Sequence, residues 1–198
     1  MMNEFKKKIK DMDMDWFEFT HPFANRKEIY LSGKYHYKCL ILGTFPSKAS
    51  RDNGYFYGNK TNEFWEYLGY VFDADLIKMP KEQKEDWINN QGIAIYDIVE
   101  SYEGFNWYSN DKDLFICGQK HIYCLEFVEN FLDQYKEIKI MFTSRKAENK
   151  FKIEFKHCDY TSSQLFYLPS PSRLNRSMNS DEKRNQWRNA FKEAKLIQ

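Results

Sequence analysis

"LILGTFPSKAS", residues Leu40–Ser50, passes from an unbroken apolar run into a small, polar, proline-stiffened turn within a few positions. An apolar stretch without polar alternation reads as a strand covered on both faces, which places it near the centre of a parallel sheet. The strand begins upstream, in "YKCLILG" (Tyr37–Gly43). Its turn then lies beyond the strand C-terminus, where open α/β sheets hold their ligands. What that turn presents, with Phe45 at its apex, is the question the rest of the chain must answer.

Downstream of it, strand and helix patterns alternate. "TNEFWEYLGYVF" follows, with Thr61 as a candidate N-cap and Phe64, Trp65 and Leu68 at helical spacing. A helix over about Lys81–Asn90 starts after Pro80, and the apolar "GIAIYDIVES" follows it. A helical pattern over Cys124–Tyr135 precedes the strand "EIKIMFTS", and "RKAENKFKIEF" opens a further helix. "QLFYLPS" (Gln164–Ser170) is the last strand, and a helix over Ser180–Ala194 closes the chain. This alternation predicts an α/β fold: one domain over residues 1–198 with a central, mostly parallel four-stranded sheet flanked by helices. Residues 1–32, with the irregular aromatic "DWFEFTHPFAN", read as an arm packed on the body. Three loops fall at the ligand-binding edge: Gly43–Asn59, Asp97–Ser101 and Pro169–Ser177.

A length of 198 residues suits one hydrophobic core. Lys and Arg number 30 against 29 Asp and Glu, so any nucleic-acid affinity must come from local charge rather than net charge. That charge is uneven: "RLNRSMNSDEKRNQWR", Arg173–Arg188, holds five basic and two acidic residues. The basic "KKKIK" near the start reads as a solvated helix face. The four cysteines show no C-x-x-C pair, and no secretory apolar segment precedes the first strand, which points to a reduced, cytoplasmic protein. Cys117, His121 and Cys124 match no common metal spacing, and a structural role is expected. No run has the apolar length of a membrane span.

Neither a phosphate-binding P-loop nor a dinucleotide fingerprint is present, and there is no G-x-S-x-G or H-E-x-x-H. Instead two turns, "GTFPS" and "LPSPSRLNRS", are rich in Pro and Ser. Proline stiffens them, while serine hydroxyls and free amides remain able to bind an anion such as phosphate. In the second turn Leu174 stands between Arg173 and Arg176. An apolar wedge between cations suits a protein that kinks DNA or flips a base, although a loop Leu also commonly packs on its own domain.

These segments resemble the uracil-DNA glycosylase superfamily, and within it the hypoxanthine-DNA glycosylase branch, over about Tyr37–Phe191. "LILGTFPSKAS" and "YFYGNKTNEFW" resemble that branch's G-S-F-P-S and Y-Y-x-H-P-x-N-R-F-W segments, with Asn62, Phe64 and Trp65 retained. "GIAIYDIVES" resembles G-I-A-L-W-D-V, "IKIMFTSRKAENKF" resembles I-x-F-N-G-x-K-A, and "LPSPSRLNRS" resembles the superfamily's second motif. The resemblance implies metal-independent hydrolysis of the N-glycosidic bond of a deaminated or modified base flipped from DNA, without a cofactor, by a monomer.

Residue by residue, it implies that Gly43, Thr44 and Phe45 line the base pocket. Phe45 replaces the Asp or Asn that positions water in other branches, so Asn62 becomes the candidate polar group; it is equally readable as a helix-start cap. Asp97 takes the place of an Asn that reads the base edge, or else makes a local turn. Phe45, Phe56 and Tyr57 are candidates for stacking on the base or for plain core. Leu168 replaces the second motif's catalytic His, and Thr143, followed by Ser144, replaces a specificity Asn. Ser47, Ser170, Ser172, Arg173 and Arg176 would hold DNA phosphates, with Leu174 filling the vacated stack. The alternatives are a catalytically silent DNA-binding or damage-sensing protein on this fold, and a glycosylase directed at modified bases of foreign DNA.

Overall fold

The computed structural model describes residues 16–198; the basic "KKKIK" run and the first half of the expected arm lie outside the described residues. Strands β2 (Cys39–Gly43), β3 (Ile93–Asp97), β6 (Lys139–Phe142) and β7 (Leu165–Tyr167) form one sheet in the order β3-β2-β6-β7. Every pairing in it is parallel. The four-stranded α/β sheet expected from the sequence is therefore present, with β2 central and buried along its whole length. That burial is the physical counterpart of the unbroken "CLILG" run.

Helices cover the sheet. They are α1 (Arg26–Leu31), α2 (Lys48–Asn53), α3 (Phe64–Phe72), α4 (Lys81–Asn90), α5 (Asp111–Cys117), α6 (Leu125–Gln134), α7 (Arg145–Glu154) and α8 (Ser180–Glu193). α3 and α8 pack together through Phe64, Tyr67 and Phe72 against Trp187 and Phe191. Asn179 and Glu182 close a reciprocal capping box at the start of α8, satisfying donors that the helix itself leaves open. Ser144 accepts from the Ala147 amide at 3.0 Å, so the residue ending the β6 run also starts α7.

A second, antiparallel sheet was not expected: β1 (Phe17–Thr20), β4 (Val99–Gly104) and β5 (Gln119–Tyr123), in the order β1-β4-β5. Two expectations are corrected by it. The arm is not irregular throughout, because "FEFT" pairs with β4 from Phe17↔Gly104 to Thr20↔Ser101. Asp97–Ser101 is not a loop either, since only Ile98 separates β3 from β4. The Ile98 and Val99 amides donate to the Gly43 and Thr44 carbonyls, so the chain stays hydrogen-bonded to β2 as it changes sheets. Thr61 is not the N-cap of α3: the cap is Glu63, and Thr61 donates instead to Asn59 Oδ1.

Candidate functional site

A cleft of about 360 Å³ opens at the C-terminal edge of the parallel sheet. It is lined by Gly43, Thr44, Phe45, Ser47, Phe56, Tyr57, Asn62, Asp97, Thr143, Ser170, Ser172 and Leu174, together with Asp111 and Lys112. Twelve of the fourteen residues singled out from the sequence thus converge on one cavity; Arg173 and Arg176 stand outside its lining. Convergence at strand ends follows from topology, because parallel strands deliver all their following turns to the same edge.

Asp97 forms part of the floor. Gly43 and Asp97 are register partners on β2 and β3, and a Cβ at Gly43 would lie 2.2 Å from Asp97 Oδ1. Only a glycine lets the carboxylate cross β2 at that point. Asp97 Oδ2 accepts from His21 Nε2 at 3.2 Å, and Cys124 Sγ donates to the Asp97 carbonyl. Burial pushes the Asp97 carboxyl up; the bond and charge of His21 oppose this, and the charge of Asp111 adds to it.

One wall is an aromatic stack. Tyr57 lies parallel on Phe64 with centroids 3.8 Å apart, and its hydroxyl hydrogen-bonds Thr143 Oγ1 at 3.0 Å. Tyr57 sits at φ 53°, a left-handed conformation unfavourable for a bulky side chain, and the stack and the hydroxyl bond hold it there. Phe45 is 8% exposed and packs edge-on against His21 and Tyr102. Trp107 tilts against Phe45 and donates its indole N–H to the Pro46 carbonyl at 2.7 Å. Ser47 caps α2, accepting from the Ser50 amide, so its hydroxyl is already committed within the protein.

Asp111 went unnoticed in the sequence. At the start of α5 it accepts from Thr44 Oγ1 and, at 2.7 Å, from Ser144 Oγ, tying the turns after β2 and β6 together. Asn62 Oδ1 accepts from the Phe64 amide at 2.9 Å, so the helix-start reading holds for the oxygen. Its amide N–H₂ keeps its donors, and Asn62 also forms a bridge with Ser172.

The opposite rim is the loop after β7. Trp187 Nε1 donates to the Pro169 carbonyl at 2.8 Å, the Glu63 amide to Pro171, and buried Lys183 to the carbonyls of Ser172 and Asn175. Glu63 accepts from Tyr67, from Ser180 Oγ at 2.8 Å and from Arg173 Nε at 3.2 Å. Burial raises the Glu63 carboxyl, but these three bonds outweigh it and hold the group below the usual range. From this clamped base Leu174 projects 85% exposed, the most exposed large apolar side chain among the described residues. Leu168 is fully buried.

Cys117, His121 and Cys124 do not form a ligand set: His121 bonds the Leu114 carbonyl, and Cys124 is engaged with Asp97. No described helix is long and apolar enough to cross a membrane. His21, the other residue that sequence reasoning passed over, carried only the weak signal of "THPF", a histidine held extended by the following proline.

A parallel sheet with a cleft at its strand ends and an exposed apolar tip on the rim defines the class, an α/β protein with its candidate site at the C-terminal edge of the sheet. A family model described as the uracil DNA glycosylase superfamily matches residues 32–194. The chain belongs to that superfamily and is by family a DNA glycosylase. It is 27% identical over 155 residues to a hypoxanthine DNA glycosylase of Methanosarcina acetivorans, covering 77% of this chain and 89% of that protein. A hypoxanthine DNA glycosylase of Methanosarcina barkeri is 27% identical over 62 residues, 31% of this chain and 39% of the relative. In fold it is similar to a solution NMR structure of a candidate uracil DNA glycosylase from Methanosarcina acetivorans. The TM-score is 0.63 at 24% identity, covering 82% of this chain and 93% of that one.

Proposed function

We propose that the protein acts as a monomer, hydrolysing the N-glycosidic bond of a deaminated base flipped out of DNA, with hypoxanthine as the first substrate to test. The observation that carries this reading is the pairing, in one cleft, of a buried carboxylate on the floor with an exposed apolar tip on a rigid rim. A flipped base needs a pocket with polar groups for its edge, and the duplex needs something to fill the hole. Tyr57 and Phe56 offer ring faces, Asp97 and Thr143 offer edge contacts, and Leu174 fills the stack. Asn62, with its oxygen engaged, acts as a donor that orients water or the sugar rather than as a base. Ser170, Ser172, Arg173 and Arg176 hold the backbone; Arg176 and Arg173 are both exposed for that task.

The reaction adds water across the C1′–N bond, giving free base and an abasic sugar. It is catalysed mainly by positioning and by electrostatic stabilisation of the cationic sugar and the departing base. The test is single-turnover release of free base from duplexes carrying hypoxanthine, uracil, xanthine or a hypermodified cytosine. Release of hypoxanthine faster than the others is expected; release of none by folded protein overturns the proposal. One observation favours a binding-only protein, namely that Phe45, a buried ring with no polar atom, stands at the usual water-positioning place. Tight binding to an abasic duplex with no base release would establish that reading instead.

A further inference from the structure

His21 lies outside the family-matched span 32–194, yet its ring stands directly against Asp97, which lines the cleft. The β1–β4 ladder explains how: the His21 amide continues it by donating to the Glu100 carbonyl at 2.8 Å, which sets the next residue of the arm beside the end of β3. Its side chain is 0% exposed and that of Asp97 7%. The ring stacks on Tyr96 with centroids 4.4 Å apart and meets Phe23 and Phe45 edge-on, so its plane is fixed on several sides.

Its tautomer is fixed as well. The Phe23 amide donates to Nδ1 at 3.2 Å, so in the neutral ring the proton is on Nε2, and Nε2 faces Asp97 Oδ2. Pro22 between them locks the backbone that brings this amide round. Among the described residues nothing donates to Asp97 Oδ1, and Asp97 lines the cleft. One carboxylate oxygen is therefore anchored and the other left for a ligand.

We propose that His21 is a positioning residue for the glycosylase chemistry: through Nε2–H it anchors Asp97 Oδ2, aims Oδ1 at the substrate and steadies the carboxylate's charge. The proposal rests on the function proposed above, and it makes the segment preceding the family-matched span part of the site. A donor that orients a reacting group acts through geometry and charge without touching the substrate. The titratable groups facing Asp97 are His21 from the arm, Tyr30 from α1, Tyr57 from the loop before α3, Tyr96 beside it on β3, Asp111 from α5 and Cys124 at the start of α6. Of these, His21 is the one that lowers the Asp97 carboxyl against its burial, while Asp111 raises it.

The test measures single-turnover base release against pH, on the duplex panel above, for the wild type, His21→Leu and His21→Gln, with abasic-duplex binding in parallel. His21→Leu is expected to slow release about 10- to 100-fold, the scale found for groups that orient a reacting ligand. It should also move the acid limb of the profile to higher pH while leaving abasic binding within about twofold. His21→Gln, which can still donate, should recover most of the rate. An active wild type whose folded His21→Leu keeps its rate and profile overturns this proposal alone; a wild type that releases no base overturns the proposed function and this proposal with it. Should His21→Leu not fold, imidazole nitrogen shifts in the wild type and in Asp97→Asn decide. An Nε2-protonated ring that responds to the substitution supports the proposal, and an Nδ1-protonated or unresponsive ring overturns it.

Discussion

The two Pro–Ser turns start from nearly the same composition and end in opposite states. In both, a tryptophan indole N–H holds a prolyl carbonyl: Trp107 on Pro46 in the first, Trp187 on Pro169 in the second. In the first turn the residue before that proline, Phe45, is buried among His21 from the arm, Tyr102 from β4 and Trp107 from the loop that follows β4. The second turn is held by α3 and α8 through Glu63, Lys183 and Trp187 and bridged at Ser172 by Asn62, while its tip Leu174 stays in solvent. Similar turn chemistry therefore makes a wall in one place and a wedge in the other; what differs is the side from which the rest of the molecule packs on the turn.

The contrast can be broken at four points. Asp97→Asn, beside the first turn, should have the largest effect, lowering base release by roughly 10²- to 10⁴-fold, the range for loss of a positioned acid–base or charge-stabilising group. The same variant should be no less stable than the wild type at neutral pH. A carboxyl raised in the folded state contributes fully only below its unfolded value, and that contribution is lost as pH rises through the folded one, so the neutral amide is spared the penalty. Thermal melts at pH 7 check the sign.

Phe45→Ala should cost about 3–5 kcal/mol in denaturant unfolding, because the ring fills a buried aromatic pocket. Glu63→Ala should cost about 2–3 kcal/mol by removing the acceptor of three hydrogen bonds. Glu63 is held low, so its contribution is present above the ordinary Glu range and lost as pH falls through the folded value; the gap between variant and wild type should narrow in acid. Leu174→Ala should change stability by less than about 0.5 kcal/mol, as expected for an exposed side chain. It should still slow release from duplex on the order of tenfold, and from single strands less, because only the duplex leaves a hole to fill. Equal slowing on both substrates would remove the wedge from the account.

The parallel sheet was legible because β2 and β3 are buried on both faces and their sequences, "CLILG" and "IAIYD", are correspondingly apolar without alternation. The second sheet was not. β1 and β5 are short and mostly exposed, so their residues carry little hydrophobic pattern, and what holds them is the ladder to β4. The two Pro–Ser turns of the cleft were legible as turns at strand ends, and most of the remaining cleft residues through the resemblance to the superfamily's motifs. Asp111 was not, since an aspartate at the start of a helix looks like any other until Thr44 and Ser144 are seen to bond it.

From the order of residues alone came the α/β class, the central strand and the edge at which the site lies, all local or periodic properties: apolar runs, helix starts, stiff turns and the sequence of elements. Most of the side chains that line the site came instead from the resemblance of its motifs to those of the glycosylase superfamily. Tertiary structure decided which of two similar turns is buried, that Asn62 Oδ1 accepts from the first amide of a helix, and that a histidine from the arm stands against Asp97. The reason is physical: His21 and Asp97 are 76 positions apart, and only the antiparallel ladder brings them together.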